Sequence, residues 1–184
     1  MRSSTPDAPK KPWLSVYELV VFALLGALMF ATKWLMQLLP NIHLLDLFIV
    51  TFTVVYRKKA LIPLYLYIAL DGLFAGFALW WFPYLYIWTV LWGAVMLLPK
   101  NMKKPVACVV YPLVCGLHGL LFGTLYAPAQ ALMFHLDFEQ MLAWIVSGLP
   151  FDLIHGISNL IVGLLIVPLV ALLKRIENCK TAGR

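Results

Sequence analysis

The chain has 184 residues, 63% of them hydrophobic and 12% charged, with a formal net charge of +6 and a mean hydropathy of +0.90. A soluble protein of this length would carry more apolar surface than one core can hide, which excludes an ordinary globular enzyme. The positive charge is no nucleic-acid signature either, because the basic residues are not interleaved with stacking aromatics.

Thirteen of the fourteen Lys and Arg residues fall in four clusters, Arg2/Lys10/Lys11, Arg57/Lys58/Lys59, Lys100/Lys103/Lys104 and Lys174/Arg175/Lys180/Arg184. The connections between them, around 40–43, 80–84 and 126–147, contain neither residue type. By the positive-inside rule the clusters mark the cytoplasmic side. The alternation therefore predicts an all-α, polytopic membrane protein with both termini inside.

In chain order, residues 1–12 form a short Pro-rich, charged lead without an apolar signal region, expected to be a cytoplasmic tail. Six spans follow at roughly 14–39, 42–56, 60–81, 84–98, 105–127 and 149–173, making one transmembrane domain over 13–175, with a second cytoplasmic tail at 176–184. At about 1.5 Å per residue the second and fourth spans fall short of a ~30 Å hydrocarbon core. They are expected to thin the bilayer, snorkel their lysines or pack behind longer neighbours. Trp34, Trp80, Trp81, Phe82, Tyr84, Tyr86 and Trp88 gather near the proposed outer boundary, as an interfacial belt requires. The outer connection 127–147 is apolar and long enough to be a lid or a packed loop. Cys108, Cys115 and Cys179 are an odd set from which neither a disulfide framework nor a metal site follows.

Small residues form stripes: Ala23, Ala27 and Ala31 in span one, Gly116, Gly119 and Gly123 in span five, Gly156 and Gly163 in span six. Such stripes let helices approach closely, and the glycines are expected to pack within the bundle. Polar groups inside spans are costly and point to cavities or partners. Counted from the basic clusters, Asp46, Asp71, His118, Asp152, His155 and Asn159 belong to the outer half, with His43 and His135 in outer loops.

The sharpest local pattern is 148–159, Gly-Leu-Pro-Phe-Asp-Leu-Ile-His-Gly-Ile-Ser-Asn. Gly148 and Pro150 suggest that span six begins there. At about 100° per residue, Asp152, His155 and Asn159 share one face, able either to bind a polar small molecule or to clamp two helices. Asp71 shares a face with Tyr67, and His118 with Tyr111; each pair reads equally as a hydrogen bond within the membrane or as part of a site. No nucleophile elbow, zinc-protease helix, phosphate loop or carboxylate-rich Mg²⁺ motif is present, so no enzyme activity and no cofactor are expected, and ATP-driven transport would need partner subunits.

With six spans, both ends inside, an alanine ladder in span one and polar groups gathered at the outer ends of later spans, the chain resembles the S-component of an energy-coupling-factor (ECF) transporter over essentially its whole length. The resemblance implies a substrate-binding subunit of a prokaryotic cell membrane that captures a vitamin and works with a transmembrane T-component and two cytoplasmic ATPases. It also implies that Ala23, Ala27 and Ala31 dock on the T-component, and that Trp88, Trp92, His118, Tyr126, Gln130, His135, Asp152, His155 and Asn159 contact the ligand. Many aromatics and no outer Arg suggest a largely neutral, partly planar ligand. Cobalamin or a precursor is the first expectation, because 148–156 looks similar to S-components associated with corrinoids; pyridoxine, a thiamin precursor and a queuosine precursor are the others. Two alternatives stand beside it. A nickel/cobalt-type permease would use His43, His118, His135 and His155 with Asp152, but these histidines are scattered in sequence and the chain lacks a Met-His start. A structural membrane protein of the MreD type would need no open polar cup.

Overall fold

The computed structural model describes residues 13–39 and 41–182; the basic cluster at 2–11 lies outside them. Among the described residues the chain is all-helical: α1 (Val16–Leu35), α2 (Leu45–Tyr56), α3 (Leu61–Ala75), α4 (Tyr84–Leu97), α5 (Lys104–Leu120), α6 (Phe122–Phe134), α7 (Phe138–Gly163) and α8 (Ile166–Ala182), with single 3₁₀ turns at Arg57–Ala60 and Leu79–Trp81. Four stretches, Val16–Leu35, Leu79–Leu97, Lys104–Phe134 and Phe138–Gly163, are long and apolar enough to cross a membrane.

Helix starts follow local chemistry. Ser15 caps α1, its hydroxyl accepting from the Glu18 amide while the Glu18 carboxylate accepts from the Ser15 amide. Asp137 and Gln140 make the same reciprocal pair at the start of α7. This cap corrects the expectation that a helix begins at Gly148 and Pro150. Helix α7 starts at Phe138 and carries Pro150 in its interior, where the lost backbone bond is tolerable within a long, packed helix. The segment 127–147 is accordingly no irregular loop. It is the end of α6, a short turn with His135 in the left-handed region at φ 53°, and the first turns of α7. At the other end, α8 runs through Ala182, into the segment expected to be a tail.

The basic clusters that can be described meet at one end of the bundle. Lys59 pairs with Glu18 at the start of α1, and Arg57 donates to the Met96 carbonyl at the end of α4. Lys100, Lys104 and Lys174 line one groove there. The core lies between the helices, with Phe22, Met29, Tyr67, Ile87, Trp88 and Leu91 at most 1% exposed.

Between α5 and α7 the backbones come close enough that glycine is required. A Cβ at Gly119 would lie 2.9 Å from the Gly156 Cα and N, and one at Gly163 would lie 2.8 Å from the Pro112 Cα. The glycine stripes therefore do pack within the bundle, letting backbones touch where any side chain would separate them. The alanine stripe does the opposite. Ala23, Ala27 and Ala31 are exposed, while Phe22, Gly26 and Met29 carry the buried face of α1.

Candidate functional site

At the end of the bundle away from the Arg57 and Lys100 clusters, a cavity of about 240 Å³ opens between the end of α1, the α1–α2 connection, α3, α4, α6 and α7. Tyr84, Trp88 and Phe122 supply aromatic walls, and Lys33, Asp71, His43 and His155 supply polar ones. Topology explains the convergence. The ends of α1 and α3, the starts of α4 and α6 and the interior of α7 reach this level, so residues far apart in sequence arrive together.

On one wall Lys33 Nζ lies 2.5 Å from Asp71 Oδ2. Asp71 is 1% exposed, so the ammonium offsets part of the cost of burying its carboxylate. Lys33 also stands over the rings of Trp80 and Tyr84, 5.6 and 5.4 Å from their centroids. The one Lys outside the basic clusters thus completes a site wall.

On the other side the His43 and His155 rings are 4.6 Å apart, centre to centre. Asp46 lies behind them, and one ligand atom from each of the three residues falls within 4.8 Å of the others. His118 Nδ1 is 2.7 Å from Asp46 Oδ2, and its Nε2 is 3.2 Å from the Ile87 carbonyl. Both nitrogens of His118 thus face acceptors, an arrangement satisfied when both carry protons. Asp46 Oδ1 and His155 Nε2 are buried and have no hydrogen-bond partner among the described residues. His43, in the connection before α2, accepts only a long 3.4 Å bond from the Leu45 amide.

No family model, curated protein or solved structure matches this chain. The site must speak for itself.

Of the residues expected to bind ligand, Trp88 and His155 line the cavity. His118 stands behind it, oriented by Asp46. The Asp152 carboxylate accepts from the Gly123 amide at 3.0 and 3.2 Å, a link between α7 and α6. Asn159, on the same face of α7, is fully buried with both amide atoms unpartnered. Trp92 belongs to the charged end, its indole donating to the Arg57 carbonyl. Tyr126 stacks on Trp144 and donates to the Trp80 carbonyl. Gln130 is half-buried on α6, and His135 is an exposed helix end. None of Trp92, Tyr126, Gln130 or His135 lines the cavity.

Lys33, His43, Asp46, Asp71 and Tyr84 are absent from the expected binding set, yet all but Asp46 line the cavity and Asp46 stands behind it. For all but Tyr84 the signal is a charge or an imidazole within apolar sequence. Helical periodicity offers Tyr67 and Tyr111 as neighbours, whereas Asp71 pairs with Lys33 and His118 with Asp46.

Proposed function

We propose that the chain is the membrane-embedded substrate-binding subunit of an ECF-type importer, an S-component that takes a small vitamin from the outer side of a prokaryotic cell membrane. In this reading six crossings, α1, α2, α3, α4, α5 with α6, and α7 with α8, leave both termini cytoplasmic, with the basic clusters on that side. A T-component and two ATPases supply the energy. The subunit itself performs no chemistry.

The observation that carries the reading is the outward alanine ladder. Ala23, Ala27 and Ala31 leave a smooth exposed strip on α1, although bulky residues occupy much of the rest of its exposed face. Small side chains there make sense where another helix must approach closely. The cavity adds a second argument, since aromatic walls with a few convergent polar groups are the usual make-up of a small-molecule site. At about 240 Å³ it is smaller than the ~300–1,000 Å³ of drug-sized sites. That favours a single-ring vitamin or precursor, such as pyridoxine or a thiamin precursor. Cobalamin would require the cavity to widen.

The test is purification of the tagged protein in mild detergent from its native membrane, with mass spectrometry of released small molecules and of co-purifying proteins. A near-stoichiometric vitamin together with a T-component and ATPases is the expected result. A protein that brings down no ATPase and binds none of a vitamin panel would defeat the reading and favour a structural role.

A further inference from the structure

We propose that His43, Asp46 and His155 form a binding site for one divalent transition-metal cation of the Zn²⁺, Co²⁺ and Ni²⁺ class, with an open coordination position facing the cavity. Nothing in the transport reading requires this. The proposal stands on geometry alone and is tested without partner subunits or vitamin.

Three observations carry it. First, two imidazoles and a carboxylate from separate elements converge so that one ligand atom of each lies within 4.8 Å of the others. Bonds of about 2.0–2.2 Å to a tetrahedral ion place ligand atoms some 3–4 Å apart, so side-chain shifts of about 1 Å close the site. The weak Leu45 bond to His43 is readily given up. Second, Asp46 is 0% and His155 3% exposed, yet Asp46 Oδ1 and His155 Nε2 have no hydrogen-bond partner among the described residues. Buried polar atoms left unpaired cost stability, whereas a cation would satisfy both at once. Third, the set has a supporting layer. His118 holds the other oxygen of Asp46 at 2.7 Å and is itself anchored on the Ile87 carbonyl, as carboxylate ligands in metal sites are held by outer hydrogen bonds.

Ligand chemistry sets the class. Two imidazole nitrogens with one carboxylate suit borderline cations, whereas Ca²⁺ and Mg²⁺ demand six or more oxygen ligands. Because His43 and His155 line the cavity, the vacant position of a three-ligand site would point toward whatever enters it.

The full-length protein, chelator-treated in mild detergent, would be titrated with Co²⁺ and followed by visible absorption. The expected result is one Co²⁺ per chain with d–d bands of nitrogen and oxygen ligation, displaced by Zn²⁺ and unaffected by excess Mg²⁺. His155→Gln and His43→Asn, which keep volume and polarity, should each weaken Co²⁺ binding at least ~100-fold, and His118→Gln about 10–100-fold. His135→Ala, at an exposed turn away from the cavity, should bind as the parent does. Thermal melts would verify that each variant is folded. No saturable Co²⁺ uptake, or uptake that survives His43→Asn/His155→Gln together but is lost in His135→Ala, would overturn the proposal. A vitamin found in the same protein would leave the transport reading standing in either case.

Discussion

His118 holds Asp46 by one carboxylate oxygen and leaves the other bare, with 2.7 Å between Nδ1 and Oδ2 and no partner at Oδ1. Both groups are buried, so each is the other's main compensation. Replacing His118 by Leu strands the carboxylate and should lower the stability of the metal-free protein by about 3–5 kcal/mol. Adding Asp46→Leu should restore most of that loss. Thermal unfolding of the two variants in one detergent checks the pair, and a double variant as unstable as the single one would show that the pair is not what holds the site.

The second ion pair is predicted to be asymmetric. Lys33 has a side chain 28% exposed, whereas that of Asp71 is 1% exposed. Lys33→Met should therefore cost about 1–3 kcal/mol, by leaving a buried acceptor without its donor. Asp71→Asn should cost under about 1 kcal/mol, since the ammonium can turn to cavity water. Equal losses in melts of both variants would contradict the exposure difference.

Glycine positions within one helix pair should behave in opposite ways. Gly119→Ala places a Cβ 2.9 Å from the Gly156 backbone, and neither backbone can retreat without separating α5 from α7. A loss of about 1–3 kcal/mol is expected from this overpacking. Gly148, inside α7, meets nothing within 4 Å. Gly148→Ala should be neutral or stabilise by up to about 1 kcal/mol through helix propensity. Chemical or thermal denaturation of the two single variants gives the comparison directly.

The two faces of α1 offer a sharper test of the transport reading. Ala27 is exposed, so Ala27→Trp should leave the melting temperature and ligand affinity of the isolated protein unchanged while abolishing co-purification of the ATPases. Gly26 is buried, and a Cβ there would lie 2.8 Å from Leu66 Cδ2. Gly26→Trp should therefore destabilise the isolated protein itself. Loss of ligand affinity in Ala27→Trp would place the ladder within the binding machinery instead.

Much of the candidate site was legible as a list of misplaced polarity. Asp46, Asp71, His118 and His155 stand out in apolar helices because burying them is expensive, and each is buried and close to a polar partner or to the cavity. Pairing was not legible. Helical periodicity relates residues three, four or seven apart, so it linked Asp71 to Tyr67 and Asp152 to Asn159. It cannot link Lys33 to Asp71 across 38 positions or His118 to Asp46 across 72. The start of α7 is obscured for a related reason: Gly148 and Pro150 look like a helix start, while Asp137, which opens the capping box with Gln140, lies eleven residues before Gly148.

Composition and basic-cluster spacing by themselves determined an all-helical chain with membrane-length apolar segments and a polar end opposite its charge, because hydrophobic length and charge position are one-dimensional quantities. Only the tertiary structure decided that His43 meets His155, that Lys33 neutralises Asp71, and that the glycine stripes turn inward while the alanine stripe turns out. Those outcomes depend on how helices rotate and dock, and docking is set by the fit of side chains from distant segments.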